Sequence, residues 1–378
     1  MRVSLVTETY PPEINGVART LERLATGLGR RGHEVSVVRP RPAEPPRNGG
    51  VPQTIVGGAP LPGYGRLRFG WYCPRRLVEL WDGECPDVVH VATEGPLGLA
   101  AVRAARRRGL PVVSSFHTNF DQYFRFYGFG ALRRSARSYL RWFHNRTART
   151  LVPTAAQRDA LTAAGFARVG VLSRGVDADL FHPGRRDPEL RAAWGANDES
   201  VVVLYVGRLA AEKNLALLER AAREVLGAVP GSRVVLVGDG PEQRRLRRRH
   251  ADFHFCGERR GEDLAAHYAS ADLFLFPSLT ETFGNVVTEA MASGLAVVSF
   301  GCAAAAELID DGIDGALVSP GDDDAFARRA LDLAVGAREG LRGMGERARR
   351  AAEGHSWDAV VGRWEAVLRD AASAGAAM

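Results

Sequence analysis

Lysine is almost absent from this chain. Among the 50 lysine and arginine residues of its 378, only Lys213 is lysine and the rest are arginine. A bias of that kind follows from the base composition of a genome, and it makes the one retained lysine a position of interest. Cysteine is scarce as well. Cys73, Cys85, Cys256 and Cys302 stand apart with no C-x-x-C pair, which removes the spacing expected of a zinc or dithiol redox centre. Scattered thiols fit a reducing compartment, so a cytoplasmic location is expected. No apolar run is long enough to span a bilayer. Met1-Arg2 leads straight into Val3-Ser-Leu-Val-Thr7, too short for the core of a signal peptide. Also missing is a G-x-G-x-x-G fingerprint after a leading strand, which takes support from an NAD-dependent oxidoreductase. The formal net charge of +6 raises a basic nucleic-acid binder as a rival. That class predicts arginine along extended faces rather than polar loops at strand ends, so no nucleic-acid partner is expected.

What is present is an alternation of short apolar runs and helical stripes. In the first half, Val3–Val6, Glu34–Val38, Asp87–Val91, Val112–Ser115 and Thr150–Val152 read as strands. Val17, Leu21, Leu24 and Leu28 mark a helix face, and helices are also expected from Pro96 to Arg108 and from Gly130 to Arg149. Pro40 to Pro62 reads as irregular loop. Pro183 to Ser200 is polar and rich in breakers, a plausible boundary. The alternation then restarts with Val201–Val206, Arg233–Val237, Phe253–Phe255, Leu273–Phe276 and Ala296–Ser299. Alternation of this sort folds as a parallel sheet covered on both faces. The expected fold class is therefore α/β, two doubly wound Rossmann-like domains, residues 1–182 and 183–356, facing a cleft at the C-terminal ends of their strands.

The polar loops after those strands carry the chemistry. Ser278 to Glu289 is a strand-to-helix turn, with Gly284 and Asn285 near the helix start, where free N–H groups and the dipole attract a phosphate. Two carboxylates flank it, Glu281 in the loop and Glu289 a turn into the helix. An anion site beside acceptor-only side chains suits a ligand with both phosphates and hydroxyls, such as a nucleotide sugar; a capping loop followed by a half-exposed glutamate is the plainer alternative. Gly207-Arg-Leu-Ala-Ala-Glu-Lys213 offers a guanidinium and the lone ammonium on one loop, able to clamp a diphosphate from two sides. Gly238-Asp-Gly-Pro241 reads as a loop beside a nucleotide base. Gly16, at a helix start, would let backbone approach a phosphate, or else closes a tight turn with Asn15. His117, just past a strand end, points at the cleft or serves structure alone. Asp322-Asp-Asp324 sits at a helix start, where acids favour the dipole, and no metal site is expected there.

Taken together, Pro11–Gly16, His117, Arg208 with Glu212-Lys213-Asn214, Val237-Gly-Asp-Gly-Pro241 and Glu281-x7-Glu289 resemble the retaining glycosyltransferases of family 4, which have the GT-B fold, over nearly the whole chain. Bacterial glycolipid-forming hexosyl- and mannosyltransferases are among the members it resembles. The resemblance implies a GDP- or UDP-hexose donor held mainly by the second domain, with no cofactor and no metal. It implies that Arg208 and Lys213 bind the pyrophosphate, Glu289 the ribose and Glu281 the sugar hydroxyls. Phe283, Gly284, Asn285 and Gly238 complete the donor site; Gly16 closes on the phosphates and His117 touches the sugar near the reacting carbon. It further implies that residues 357–378 form a helix crossing back to the first domain. Asn15-Gly16 and Ser173-Arg-Gly-Val-Asp177 depart from the usual Gly-Gly and Pro-Asn-Gly-Val-Asp, which bears on the acceptor side.

The acceptor clue is the arginine-rich helix after Gly130. Arg133, Arg137 and Arg141 form one stripe, and Leu132, Ala136, Tyr139 and Phe143 another, preceded by five aromatic residues between Tyr123 and Phe129. Interleaved basic and aromatic residues suit peripheral docking on the anionic inner face of the cytoplasmic membrane, and with it a lipid or glycan acceptor. A helix with its apolar stripe in the core and arginine in solvent is the alternative.

Overall fold

The computed structural model describes residues 1–13, 15–43, 50–61, 64–116, 130–279, 281, 283–336 and 338–376. The chain divides into two compact units, Met1–Arg174 with Trp357–Met378, and Gly175–Ser356. The division comes ahead of the polar Pro183–Ser200 stretch. The Val176 N–H bonds the His355 carbonyl at 3.0 Å, and Val176 and Phe181 are buried in the core of the second unit.

In the first unit the strands are β1 (Arg2–Val6), β2 (Glu34–Pro40), β3 (Gln53–Val56), β4 (Gly58–Leu61), β5 (Tyr64–Gly70), β6 (Val88–Val91), β7 (Val112–Ser115), β8 (Arg149–Val152) and β9 (Val169–Val171). Seven of them form one sheet in the order β3-β2-β1-β6-β7-β8-β9, with every pair parallel. The order reverses between β1 and β6, a switch point of the doubly wound kind. Helices α1 (Gly16–Arg30), α2 (Pro74–Glu84), α3 (Pro96–Arg107), α4 (Gly130–His144) and α5 (Ala155–Ala163) supply the connections. The expected irregular loop from Pro40 to Pro62 is corrected from Gln53 onward, residues 44–49 and 62 lying outside the described ones: β3 pairs in parallel with β2, Val37 opposite Gln53 through Pro40 opposite Val56, and β4 pairs antiparallel with β5. An edge strand needs a partner on one side only, so proline and glycine are tolerated there. Helix α4 also stops at His144, short of Arg149, because Arg149 is already paired with Val113 as the start of β8.

The C-terminal helix, Trp357–Ala376, belongs to this unit. Its Val360, Val361, Trp364 and Leu368 share one buried cluster with Leu21, Leu24 and Leu28 of α1. A Cβ on Gly27 would come within 2.6 Å of Val361, so glycine sets how closely the two helices approach. Trp364 is fully buried and donates its indole N–H to His90 Nδ1 at 3.0 Å, while His90 Nε2 meets Ser115 Oγ at 2.8 Å. That pairing fixes the neutral tautomer, and complete burial pushes the imidazole down to about 3.

The second unit holds β10 (Val202–Val206), β11 (Arg233–Val237), β12 (His254–Gly257), β13 (Leu273–Phe276), β14 (Ala296–Phe300) and β15 (Ala316–Val318) in the order β12-β11-β10-β13-β14-β15, all parallel. Helices α6 (Pro188–Ala193), α7 (Leu215–Ala228), α8 (Gln243–Arg249), α9 (Gly261–Ala269), α10 (Asn285–Ala292), α11 (Ala303–Leu308), α12 (Asp323–Val335) and α13 (Arg338–Glu353) accompany it. β10, β13 and β14 are buried along their whole length, which is why they read as continuous apolar runs rather than alternations. Asp322 caps α12 by accepting from the Ala325 N–H at 2.9 Å, and Asp324 pairs with Arg220 at 2.9 Å. Among the described residues no helix is long and apolar enough to cross a membrane, and no three His, Cys, Asp or Glu side chains are grouped to hold a metal ion.

Candidate active site

The loops leaving the C-terminal ends of β10 and β11 are locked together by backbone. The Leu209 N–H donates to the Asp239 carbonyl at 2.9 Å and the Glu242 N–H to the Leu209 carbonyl at 2.9 Å. Gly238 has φ +131°, and a Cβ there would lie 2.0 Å from the Gly207 carbonyl oxygen. Only glycine admits so close an approach. Between these loops and the end of β12 lies a cavity of about 300 Å³ lined by Gly207, Arg208, Gly238, Asp239, Glu258 and Arg259. The Arg208 side chain is 66% exposed, and its nearest carboxylate, Glu212, is 3.5 Å away. That contact is too loose and too wet to neutralise it.

From Arg208 the chain passes through a 3-10 turn, Ala211–Lys213, and a left-handed residue, Asn214, into α7. This turn delivers Lys213 to the loop after β13. The Lys213 ammonium pairs with Glu281 Oε1, and Ser278 Oγ donates to the same oxygen at 2.9 Å. Lys213 is 17% exposed and Glu281 16%, so the contact is screened from solvent on most sides. The lysine and the first carboxylate, which the sequence placed 68 positions apart, meet at one point. Gly284 adopts the left-handed conformation, φ +90°, and opens α10. Asn285 Oδ1, at the helix start, is buried with no hydrogen-bond partner among the described residues. One turn on, Glu289 Oε2 accepts from the Tyr268 hydroxyl at 3.0 Å.

Not every expected residue lies in that group. Phe283 is 1% exposed, its side chain belongs to the apolar core, and its carbonyl accepts from the Ala304 N–H at 2.6 Å. Gly16 is in the other unit as the first residue of α1, whose cap Asn15 accepts from the Ala18 N–H at 2.8 Å. Arg174 Nη1 would lie 3.2 Å from a Cβ at Gly16. His117 falls outside the described residues. Two side chains were passed over in the sequence, Ser278 and Tyr268, which position Glu281 and Glu289. Ser278 stands three residues before Glu281, near enough to be suspected, but nothing in the order of residues ties Tyr268 to Glu289.

Comparison with known proteins decides the family. The family model described as Glycosyltransferase Family 4 matches residues 14–180, and that described as Glycosyl transferases group 1 matches residues 200–335. Over 377 residues the chain is 36% identical to the GDP-mannose-dependent alpha-mannosyltransferase of Mycolicibacterium smegmatis, covering 97% of this chain and 98% of that one. The chain is a family 4 glycosyltransferase. It is also 28% identical to the alpha-monoglucosyldiacylglycerol synthase of Streptococcus pneumoniae, over 84% of this chain and 75% of the relative. Among solved structures, HepE of Anabaena in complex with UDP superposes with a TM-score of 0.75 at 20% identity, over 98% of this chain and 100% of that one. The fold of this glycosyltransferase is thus GT-B, as the motifs implied.

Proposed function

We propose that this family 4 enzyme transfers a hexose of the mannose or glucose type from a GDP- or UDP-sugar to a membrane-lipid acceptor, such as a diacylglycerol or a lipid-linked glycan, with retention at the anomeric carbon. The observation that carries the reading is the meeting of Lys213 with Glu281 beside the start of α10. An ammonium has three N–H donors. One goes to Glu281, and the remaining two serve a pyrophosphate oxygen. Arg208, exposed and loosely held, closes on the same diphosphate. Glu281, oriented by Ser278, reads sugar hydroxyls, and Glu289, oriented by Tyr268, reads the ribose. The N–H groups at Gly284 and Asn285 assist with phosphate, and the cavity at Gly238 takes the base.

Charge development dictates the rest. As the C1–O bond to the nucleoside diphosphate breaks, positive charge grows at C1 and negative charge on the leaving phosphate. Arg208 and Lys213 stabilise that phosphate, a task a metal ion performs in other transferases, so the scheme needs none. Glu281 and Glu289 are each committed to neighbouring groups, and neither is assigned as nucleophile. The acceptor hydroxyl attacks from the face the diphosphate leaves, its proton passing to the departing phosphate oxygen. A covalent sugar adduct trapped on Glu281 would overturn this step.

The lipid acceptor draws on the relatives, whose names include a glucosyldiacylglycerol synthase. In α4, Phe143 and the neighbouring Leu140 are buried and Tyr139 donates to the Glu94 carbonyl at 2.6 Å, so this end of the apolar stripe packs in the core; the aromatic run from Tyr123 to Phe129 and the side chains of Leu132 and Arg133 lie outside the described residues. Arg134, Arg137 and Arg141 remain exposed, which makes any docking on anionic lipid electrostatic and salt-sensitive. The test is a thermal-shift and turnover screen over GDP- and UDP-hexoses, followed by transfer to diacylglycerol or a lipid-linked glycan in anionic vesicles. One donor should raise the midpoint and be slowly hydrolysed without acceptor. Transfer to soluble or polysaccharide acceptors alone would replace the lipid reading, and no donor response at all would defeat the donor site.

A further inference from the structure

The same sheet has a second charged feature at its other end. Just ahead of β13 and β14, a cavity of about 480 Å³ opens between the strand starts and α13. Asp272, Ser293 and Gly294 line it from the sheet side, and Arg338, Arg342 and Arg350 from the helix. The donor loops leave from the opposite ends of these strands, so the two features are separate.

One carboxylate at its floor serves three guanidinium groups. Asp272 accepts from Arg186 at 2.9 Å, from Arg191 at 3.0 Å and from the Val202 N–H at 2.9 Å, which occupies both oxygens. Arg338 is left 3.8 Å from Asp272 and 3.9 Å from the exposed Glu199, beyond hydrogen-bond range. All three of its side-chain nitrogens are shielded from water, and none has a hydrogen-bond partner among the described residues. Burial, against the pull of Asp272, holds Arg191 below the usual arginine range, and the charges on Arg186 and Arg338 push the same way. Arg342 and Arg350 add exposed positive charge at the mouth, with the exposed Glu346 beside them. A buried guanidinium without hydrogen bonds is costly, and an apolar side chain would fill the same space at less cost.

We propose that this cavity is a second anion site that takes a phosphate group, either free phosphate or the phosphomonoester headgroup of an anionic lipid. Tetrahedral phosphate oxygens match the guanidinium fork. Asp272 keeps its two closer arginines while Arg338 turns outward to the anion, and Arg342 meets it from the rim.

The test titrates inorganic phosphate, against chloride at matched ionic strength, into wild type, Lys213→Gln, Arg338→Met and Arg342→Gln. Lys213→Gln weakens only the donor loop's own hold on phosphate and should still show a phosphate response, from the cavity, whereas each cavity variant should weaken that cavity component roughly 10- to 100-fold, as expected for losing a charged hydrogen bond. Without phosphate, Arg338→Met should unfold no earlier than wild type, whereas an arginine serving only as scaffold would lower the midpoint when removed. Vesicles of phosphatidic acid in phosphatidylcholine, against phosphatidylcholine alone, separate the sources. Flotation that needs Arg342 and is competed by free phosphate assigns the lipid headgroup; phosphate binding without flotation assigns the free ion. The proposal is overturned if wild type shows no phosphate response, or if the response is lost in Lys213→Gln and kept in Arg338→Met.

Discussion

Lys213→Arg is the sharpest perturbation of the donor site. In the wild type the ammonium meets Glu281, Ser278 Oγ holds that carboxylate at 2.9 Å, and the pair is 17% and 16% exposed. Arginine keeps the charge but exchanges a compact head with three donors for a wide planar fork. A wider fork changes how the positive charge meets Glu281 and its Ser278 partner. If Lys213 stabilises the leaving diphosphate, truncation to alanine removes a preorganised charge worth about 10²–10³ in kcat, or about 2.7–4 kcal/mol. Lys213→Arg should fall between, with roughly a tenfold loss in kcat/KM, about 1.4 kcal/mol. Stability is the control: Lys213→Arg keeps a positive charge opposite Glu281 and should unfold near wild type, whereas alanine leaves a largely buried carboxylate unpaired and should lower the midpoint. Initial rates of nucleoside diphosphate release, at saturating and sub-saturating donor, separate kcat from KM. A Lys213→Arg enzyme with both parameters unchanged refutes the role given to the lysine, and the weight placed on its rarity goes with it.

Two further outcomes follow from buried hydroxyl and imidazole groups. Tyr268→Phe removes the hydrogen bond that orients Glu289 and should raise donor KM several-fold, about 1 kcal/mol, with kcat little changed; an unchanged KM detaches Glu289 from the ribose. His90, held neutral with its titration pushed down from 6.5 to about 3, makes the first unit acid-sensitive. Between those values the unfolded chain binds a proton that the folded chain does not, so this stability is complete above pH 6.5 and is lost as pH falls towards 3. Tryptophan-fluorescence melts should show the midpoint dropping across that window, and His90→Gln should flatten the slope; a parallel slope in the variant would place the sensitivity elsewhere.

The sequence by itself determined the class of fold and the class of chemistry. Strands buried on both faces must be continuously apolar, and helices packed on them must show a stripe, so the alternation was legible without coordinates. Motifs confined to one loop, such as Gly207 to Lys213 or Gly238 to Pro241, were legible for the same reason: their geometry is local. Pro40 to Pro62 was misread because edge pairing relaxes the residue preferences that mark a strand, and α4 was drawn too long because its end is set by the register of β8 on β7. Only the tertiary structure decided which distant groups touch. It brought Lys213 to Glu281 and Tyr268 to Glu289, turned the Phe283 side chain into the core, and crowded three arginines onto Asp272. Those contacts depend on how separate strand ends and helices converge, and convergence is a property of packing that no single stretch of residues carries.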